Sequence, residues 1–346
     1  MASTLTAPSP SVASGRHALG TWHRWGNRGF RGLTWLAAWA VVVLVAAIIG
    51  AIAQKAWPAF GRYGWGFFSG RVWDQAAEHY GVLPPIWGTL YSSLLALVFA
   101  SICGVAVAVL LGDHLLAGAV RSLMQSCGVD PGVTWPKLPQ RVEYVVNTLV
   151  ELLAAIPSVV YGLWGLFVLV PLIRPPCNWL HAHFGQVPFF STPLSGPGLL
   201  PASLVLGIMV LPTIAAISRD AILGVPDNLR EAAYGVGATR WETILRVVLP
   251  AATRGIFGAI ILGLGRALGE TMALAMLCGN ANTVKLSLFA PANSLAALLA
   301  NTFPEAGKAE VPVLMYAALI LLGITLLVNV AGTVILERAT GVTRKD

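Results

Sequence analysis

Charge is what this sequence has least of. Only 11% of its 346 residues are Asp, Glu, Lys or Arg, against about 25% in an ordinary soluble domain, while 56% are hydrophobic. A globule of that composition lacks the polar surface to cover itself in water, which excludes a single soluble domain. Cysteine is scarce too. Cys103, Cys127, Cys177 and Cys278 show no CxxC spacing of the zinc kind, so they are expected to be small packing residues, with a Cys177–Cys278 disulfide as the lesser alternative. No GxxxxGK[ST] phosphate loop occurs, so the sequence shows no nucleotide-binding motif of that kind. No HExxH string or nucleophile and base pair lies in an apolar run, which argues against an intramembrane enzyme. The net charge of +7 is spread thinly along apolar sequence and gives no sign of nucleic-acid binding.

Long apolar runs are what the sequence does have. A spanning helix takes about 20 apolar residues, and six runs qualify, at 33–53, 86–111, 142–173, 199–217, 255–278 and 313–336. The expected fold is all-α and integral to a membrane, with six transmembrane helices in a lipid bilayer. Residues 1–32 form a basic tail without an apolar stripe. The run 33–53 has the basic flank of a signal peptide but exceeds its cleavable core of about 7–15 residues, so it is expected to stay as the first transmembrane helix. Residues 86–336 hold the other five, and 337–346 form a short tail. Residues 54–85, 112–141, 174–197 and 279–312 are expected to be loops, the third rich in proline. The run 142–173 contains Glu151 and Pro157, which predicts a kinked helix or a short helix leading into a longer one. Both tails and the segments 112–141 and 218–254 carry 15 Lys and Arg, the three opposite loops six. Positive residues accumulate inside, so both termini and 218–254 are expected to be cytoplasmic.

Residues 218–254 alone have the charge density of soluble protein, nine charges in 37 residues. Within them lies EAAYGVGATRWETILRVVLP, Glu231 to Pro250. Asp227 is placed to cap a short helix, on which Ala232 and Ala233 give a small-residue surface. Gly237 can take the left-handed backbone of a chain reversal. Thr239 can cap a second helix, where Trp241, Ile244, Leu245 and Val248 recur at helical spacing, and Pro250 is expected to end it at the membrane surface. Such a helix, turn and helix is either a docking knob or an ordered surface loop.

Arg266 and Glu270 lie four residues apart in the fifth run, on one face of an expected helix. A charge at the bilayer centre costs at least about 2.5–3.5 kcal/mol, so both must face protein, water or each other. One reading has Arg266 attracting an anion in transit while Glu270 holds the arginine in its absence; the other is a structural ion pair. Gly265 and Gly269 form a GxxxG step for close helix packing. Glu151 is a third charge in an apolar run and a further pathway candidate, or a structural acid beside the kink. Cys177, His181 and His183 amount at most to a partial metal site in a proline-rich loop, and no metal is expected.

The string from Glu231 to Pro250 resembles the EAA loop of ABC importer permeases. Glu231, Ala232, Ala233, Gly237, Leu249 and Pro250 fall in register, and Val247 stands where that pattern has Ile. ELLAAIPSVVYGLWGLFVLVPLI (Glu151–Ile173) and GLGRALGETMALAM (Gly263–Met276) resemble the PstC permeases of phosphate-specific import systems, within the binding-protein-dependent permease family. The resemblance implies a type I ABC importer permease fold in the bacterial inner membrane. It implies an ATPase-coupling loop at 218–254 and a phosphate pathway at the charged Arg266 and Glu270. It further implies a PstA-like second permease, a PstB-like ATPase dimer that binds the ATP and Mg, a PstS-like periplasmic phosphate-binding protein, and no cofactor in this chain. The residues alone reach only an ATPase-coupled membrane subunit for an anion. A permease for sulfate, molybdate or tungstate, or a proton-coupled secondary transporter using Glu270, are the alternatives.

Overall fold

The computed structural model describes residues 21–113, 115–127 and 137–339. Arg16 in the expected tail, and Arg344, Lys345 and Asp346 at the other end, lie outside the described residues. Six helices are long and apolar enough to cross a membrane: Gly29–Tyr63, Leu83–Gly112, Ser158–Phe184, Leu199–Leu223, Arg240–Leu268 and Val311–Arg338.

Helix α1 runs from Thr21 to Tyr63, so it begins inside the expected tail and continues well past the expected end at Ala53. The residues up to Ala51 form one compact unit and those from Ile52 a second. In the first, Leu33, Trp35, Val41 and Leu44 are exposed, the surface a lipid-facing helix presents. In the second, α1 passes through Pro58 because Ala56 and Ala59, 2% and 3% exposed, are buried in a cluster with Val313, Tyr316 and Ala317. Tertiary packing there outweighs the hydrogen bond that proline removes. The short helix α2 (Gly66–Ser69) and a two-residue antiparallel ribbon, β1 (Trp73–Asp74) with β2 (His79–Tyr80), follow. Phe67 stacks on Tyr316 at 4.7 Å, and Trp73 meets Tyr80 edge-on at 4.9 Å.

The centre of the second unit is the pair α3 (Leu83–Gly112) and α8 (Leu199–Leu223). Gly88, Ser92, Ala96, Ala100, Gly104, Ala108 and Gly112 are all buried on α3, and each stands four residues after the last. That spacing makes one ridge of small side chains along the helix, which lets another backbone come close. A methyl group on Gly104 would lie 3.0 Å from Ile214 Cγ2, and one on Gly112 would lie 2.9 Å from Ile222 Cγ2.

Between these two helices lie α4 (Leu115–Ser126), α5 (Leu138–Ala155), α6 (Ser158–Trp164) and α7 (Val170–Phe184). The break at Ile156–Pro157 makes the 142–173 run a short helix leading into a longer one. Helix α7 continues through Pro175 and Pro176, where a loop was expected. Its far end is held by contacts the proline count does not reveal: Cys177 is buried with Leu194 and Phe289, and Asn178 Oδ1 accepts the Leu194 N–H at 2.8 Å. All four cysteines are free. Cys278 packs in the central cluster and Cys177 in another, so the disulfide alternative is set aside.

After α8 come α9 (Asp227–Gly235), α10 (Arg240–Thr243), α11 (Leu249–Leu268), α12 (Met272–Leu277), α13 (Leu295–Thr302) and α14 (Val311–Ala339). Wide π-helical turns occupy Gly165–Leu169 and Ile244–Val248. In each, the next N–H donates five residues back, Val170 to Gly165 and Leu249 to Ile244. A proline, Pro171 or Pro250, follows directly. A ring without an N–H crowds the preceding turn of an α-helix, and the widened turn relieves that crowding.

Candidate functional site

Arg266 sits in the last turn of α11, with Nη1 3.4 Å from Thr213 Oγ1 on α8. It opens onto a groove of about 690 Å³ lined also by Gly265, Asn329 and Thr333. A methyl group on Gly265 would lie 3.1 Å from Asn329 Oδ1 and 3.2 Å from Nδ2, so the bare backbone at 265 is what admits the amide against α11. One guanidinium beside two threonine hydroxyls and an amide, in otherwise apolar walls, can hold an anion by charge-assisted hydrogen bonds.

Glu270 is not on the same helix face as Arg266. Helix α11 ends at Leu268 with Gly269 as its C-cap, and Glu270 falls in the break before α12. Its Oε1 accepts the Ala273 N–H at 3.4 Å, and no ion pair joins it to Arg266 among the described residues. Glycine is among the poorest helix formers, and the carboxylate satisfies a free amide of the next helix; together they turn the expected continuous span into two helices. Gly265 packs against Asn329, whereas Gly269 is exposed and lines a separate groove of about 540 Å³ with Thr271, Ala296 and Leu314. The two glycines therefore do not act as one packing step. Glu151 lies on α5, which is not among the six spanning helices, and its Oε1 accepts from Asn147 Nδ2 at 2.7 Å on the surface. Of the pathway candidates, only Arg266 lines the groove.

The segment between α8 and α11 folds as two short helices around Gly237, whose φ of +88° is the left-handed turn. Thr239 and Glu242 form a reciprocal capping box on α10. Asp227 is the first residue of α9 and makes no cap bond; Pro226 takes the cap position. Ala233 is buried, while Glu231 and Ala232 are exposed. Ile244 and Val248 are buried, but Trp241 and Leu245 are both 60% exposed and Val236 is 86% exposed, which leaves an apolar face uncovered. Pro250 does not end the second helix. The chain is helical from Arg240 to Leu268, because the wide turn before Pro250 accommodates its ring. Leu249 begins α11 and is partly buried.

Asp113, which sequence reasoning passed over, organises this segment. It is the C-cap of α3, only 7% exposed, and pairs with Arg230 of α9 and, at 3.4 Å, with Nε of Arg240 at the start of α10. The Arg240 guanidinium also donates to the Asp113 carbonyl, and Arg230 Nη2 donates to the Ile222 carbonyl at 3.0 Å. The available signal was a lone acid directly after an apolar run. Thr213 and Asn329 were also missed; polar residues inside the spans announced them.

Residues 133–339 match the family described as "Binding-protein-dependent transport system inner membrane component". The chain is 40% identical over 304 residues to the "Phosphate transport system permease protein PstC" of Pasteurella multocida (strain Pm70), covering 86% of this chain and 88% of the relative. It is 37% identical over 319 residues to the protein of the same description from Haemophilus influenzae (strain ATCC 51907 / DSM 11121 / KW20 / Rd), covering 91% and 94%. A solved bacterial alginate ABC transporter in complex with an alginate-bound periplasmic protein shares the fold, with a TM-score of 0.57 at 16% identity over 91% of this chain and 98% of that one. Fold, six spanning helices and sequence agree: this chain belongs to the binding-protein-dependent transport system inner membrane component family, as a membrane permease subunit of type I ABC importer fold.

Proposed function

We propose that this chain is the permease through which an ATP-driven importer moves inorganic phosphate from the periplasm to the cytoplasm. The observation that carries the reading is the 40% identity, over 86% of the chain, to a protein described as a phosphate transport system permease. The Arg266 groove is in keeping with it, since a single fixed cation among neutral polar groups suits an oxyanion that must both bind and leave. Arg266 attracts the anion.

The excess of Lys and Arg supports a cytoplasmic location for both termini and residues 218–254. There the exposed Glu231, Ala232 and Gly237, with the uncovered Val236, Trp241 and Leu245, dock a PstB-like ATPase dimer, with Ala233 packed beneath them, while Leu249 and Pro250 pass its movement to α11. The ATPase binds ATP and Mg, and this chain carries no cofactor and performs no catalysis. A PstA-like permease completes the pore, and a PstS-like protein delivers phosphate on the periplasmic side. Closure of the ATPases moves the docking helices, and the groove alternates between the two sides of the bilayer.

The test is uptake of radiolabelled phosphate into vesicles holding both permeases, the ATPase and the binding protein. ATP-dependent uptake that excess sulfate leaves intact is expected. Arg266→Gln should block it in a complex that still assembles, and Glu231→Lys should weaken coupling to ATP hydrolysis. Uptake without ATP, or its abolition by sulfate, would overturn the assignment.

A further inference from the structure

Between Ala317 and Leu336 the last spanning helix is apolar except for a regular set of polar side chains. Thr325, Asn329 and Thr333 recur every four residues, which puts them on one face of α14. The Thr325 hydroxyl donates to the Leu321 carbonyl at 2.8 Å and that of Thr333 to the Val330 carbonyl at 2.8 Å, so the helix itself satisfies both donors. Asn329 differs. Its amide makes no hydrogen bond among the described residues, yet it is half-buried, lines the Arg266 groove and occupies the space left by the missing side chain of Gly265.

An amide at membrane depth is costly until a polar partner satisfies it, because neither lipid nor apolar side chains can. Its cost is offset if its partner is the species in transit. We propose that Asn329 is a second ligand of the oxyanion held by Arg266: Nδ2 donates to one anion oxygen, Oδ1 accepts from a protonated one, and the Thr213 hydroxyl donates to a third. This rests on the reading that the groove conducts an oxyanion. A neutral second ligand adds orientation without a second fixed cation, so the anion is held without being trapped. An acid in its place would instead pair with Arg266 and exclude the anion.

The experiment is ATP-dependent uptake of radiolabelled inorganic phosphate in vesicles with the full complex, with subunit co-purification as the assembly check. Asn329→Leu keeps the shape and removes the hydrogen bonds; since a hydrogen bond to a charged group is worth about a factor of ten or more, uptake should fall by about tenfold. Asn329→Ser should retain most of it. Asn329→Asp should be inactive from about pH 6 to about pH 8, because Arg266 in the same groove keeps the carboxylate ionised and paired. Asn329→Leu uptake within about twofold of the natural level, serine as impaired as leucine, or an aspartate variant that transports would each overturn the proposal. If Arg266→Gln also transports, the groove reading itself fails; if Arg266→Gln is blocked and Asn329→Leu is not, only the role of Asn329 fails.

Discussion

Asp113, at the end of α3, holds Arg230 of α9 in a buried ion pair, the carboxylate 7% exposed. A second arginine, Arg240, reaches the same carboxylate from α10. One acid thus joins a spanning helix to both short helices of the segment between α8 and α11, and any displacement of that segment is felt at α3.

Asp113→Asn should therefore loosen the segment without unfolding the bundle. Removing one partner of a buried pair costs about 3 kcal/mol, and the half-exposed Arg240 adds little. Hydrogen exchange should rise across residues 227–243 and stay unchanged along the interface of α3 and α8. Equal protection in both proteins would show that the ion pair does not hold the segment.

Gly237→Ala should destabilise the turn between α9 and α10 by about 1 kcal/mol, because a side chain at φ +88° is strained. Gly235→Ala is the control: nothing lies within 4 Å of its new methyl group and its backbone is helical, so it should be neutral or slightly stabilising. Local exchange in the segment distinguishes the two. Equal effects would remove the left-handed requirement at 237.

The number and type of the spans were legible because about 20 apolar residues in a row admit few other structures. So was Gly237, since a glycine between two amphipathic stretches has a narrow range of uses. Glu270 was not legible: four-residue spacing places two side chains on one face only if the helix continues, and Gly269 stops it. Asp113 was not legible either, because its partners lie more than a hundred residues away and only the packing of α3 on α8 brings them within reach. Pro175, Pro176 and Pro250 misled in the same direction. Each signals a break locally, but a wide turn or a buried neighbour keeps the helix going.

Gly88→Ala should be among the most damaging single-methyl changes in the bundle. The added carbon would lie 2.0 Å from the Asn293 carbonyl oxygen, and that loop would have to move. Gly258→Ala adds the same atom where nothing lies within 4 Å. Thermal stability of the purified complex should fall several degrees for the first and little for the second; similar values would contradict the close approach of the 279–294 loop to α3.

Cys127 is the exposed one of four free cysteines. A membrane-impermeant maleimide should label it in inverted vesicles and leave it unlabelled in intact spheroplasts, and Cys127→Ser should abolish that label. Labelling from the periplasmic side would reverse the proposed orientation. In denaturant without reductant, four thiols should be alkylated, and a count of two would restore the Cys177–Cys278 bridge.

The wide turn at Ile244–Val248 also sets an angle. Each residue of a helix advances the azimuth by about 100°, so the extra residue fixes the direction in which Trp241 and Leu245 point relative to Arg266 farther along the same rod. Deleting one residue from that turn would leave the composition of both faces nearly intact and swing one against the other by about that amount. The exposed apolar face of Trp241 and Leu245 and the groove are thus indexed to each other like two cams on one shaft, and the five residues ahead of Pro250 are the key that holds their phase.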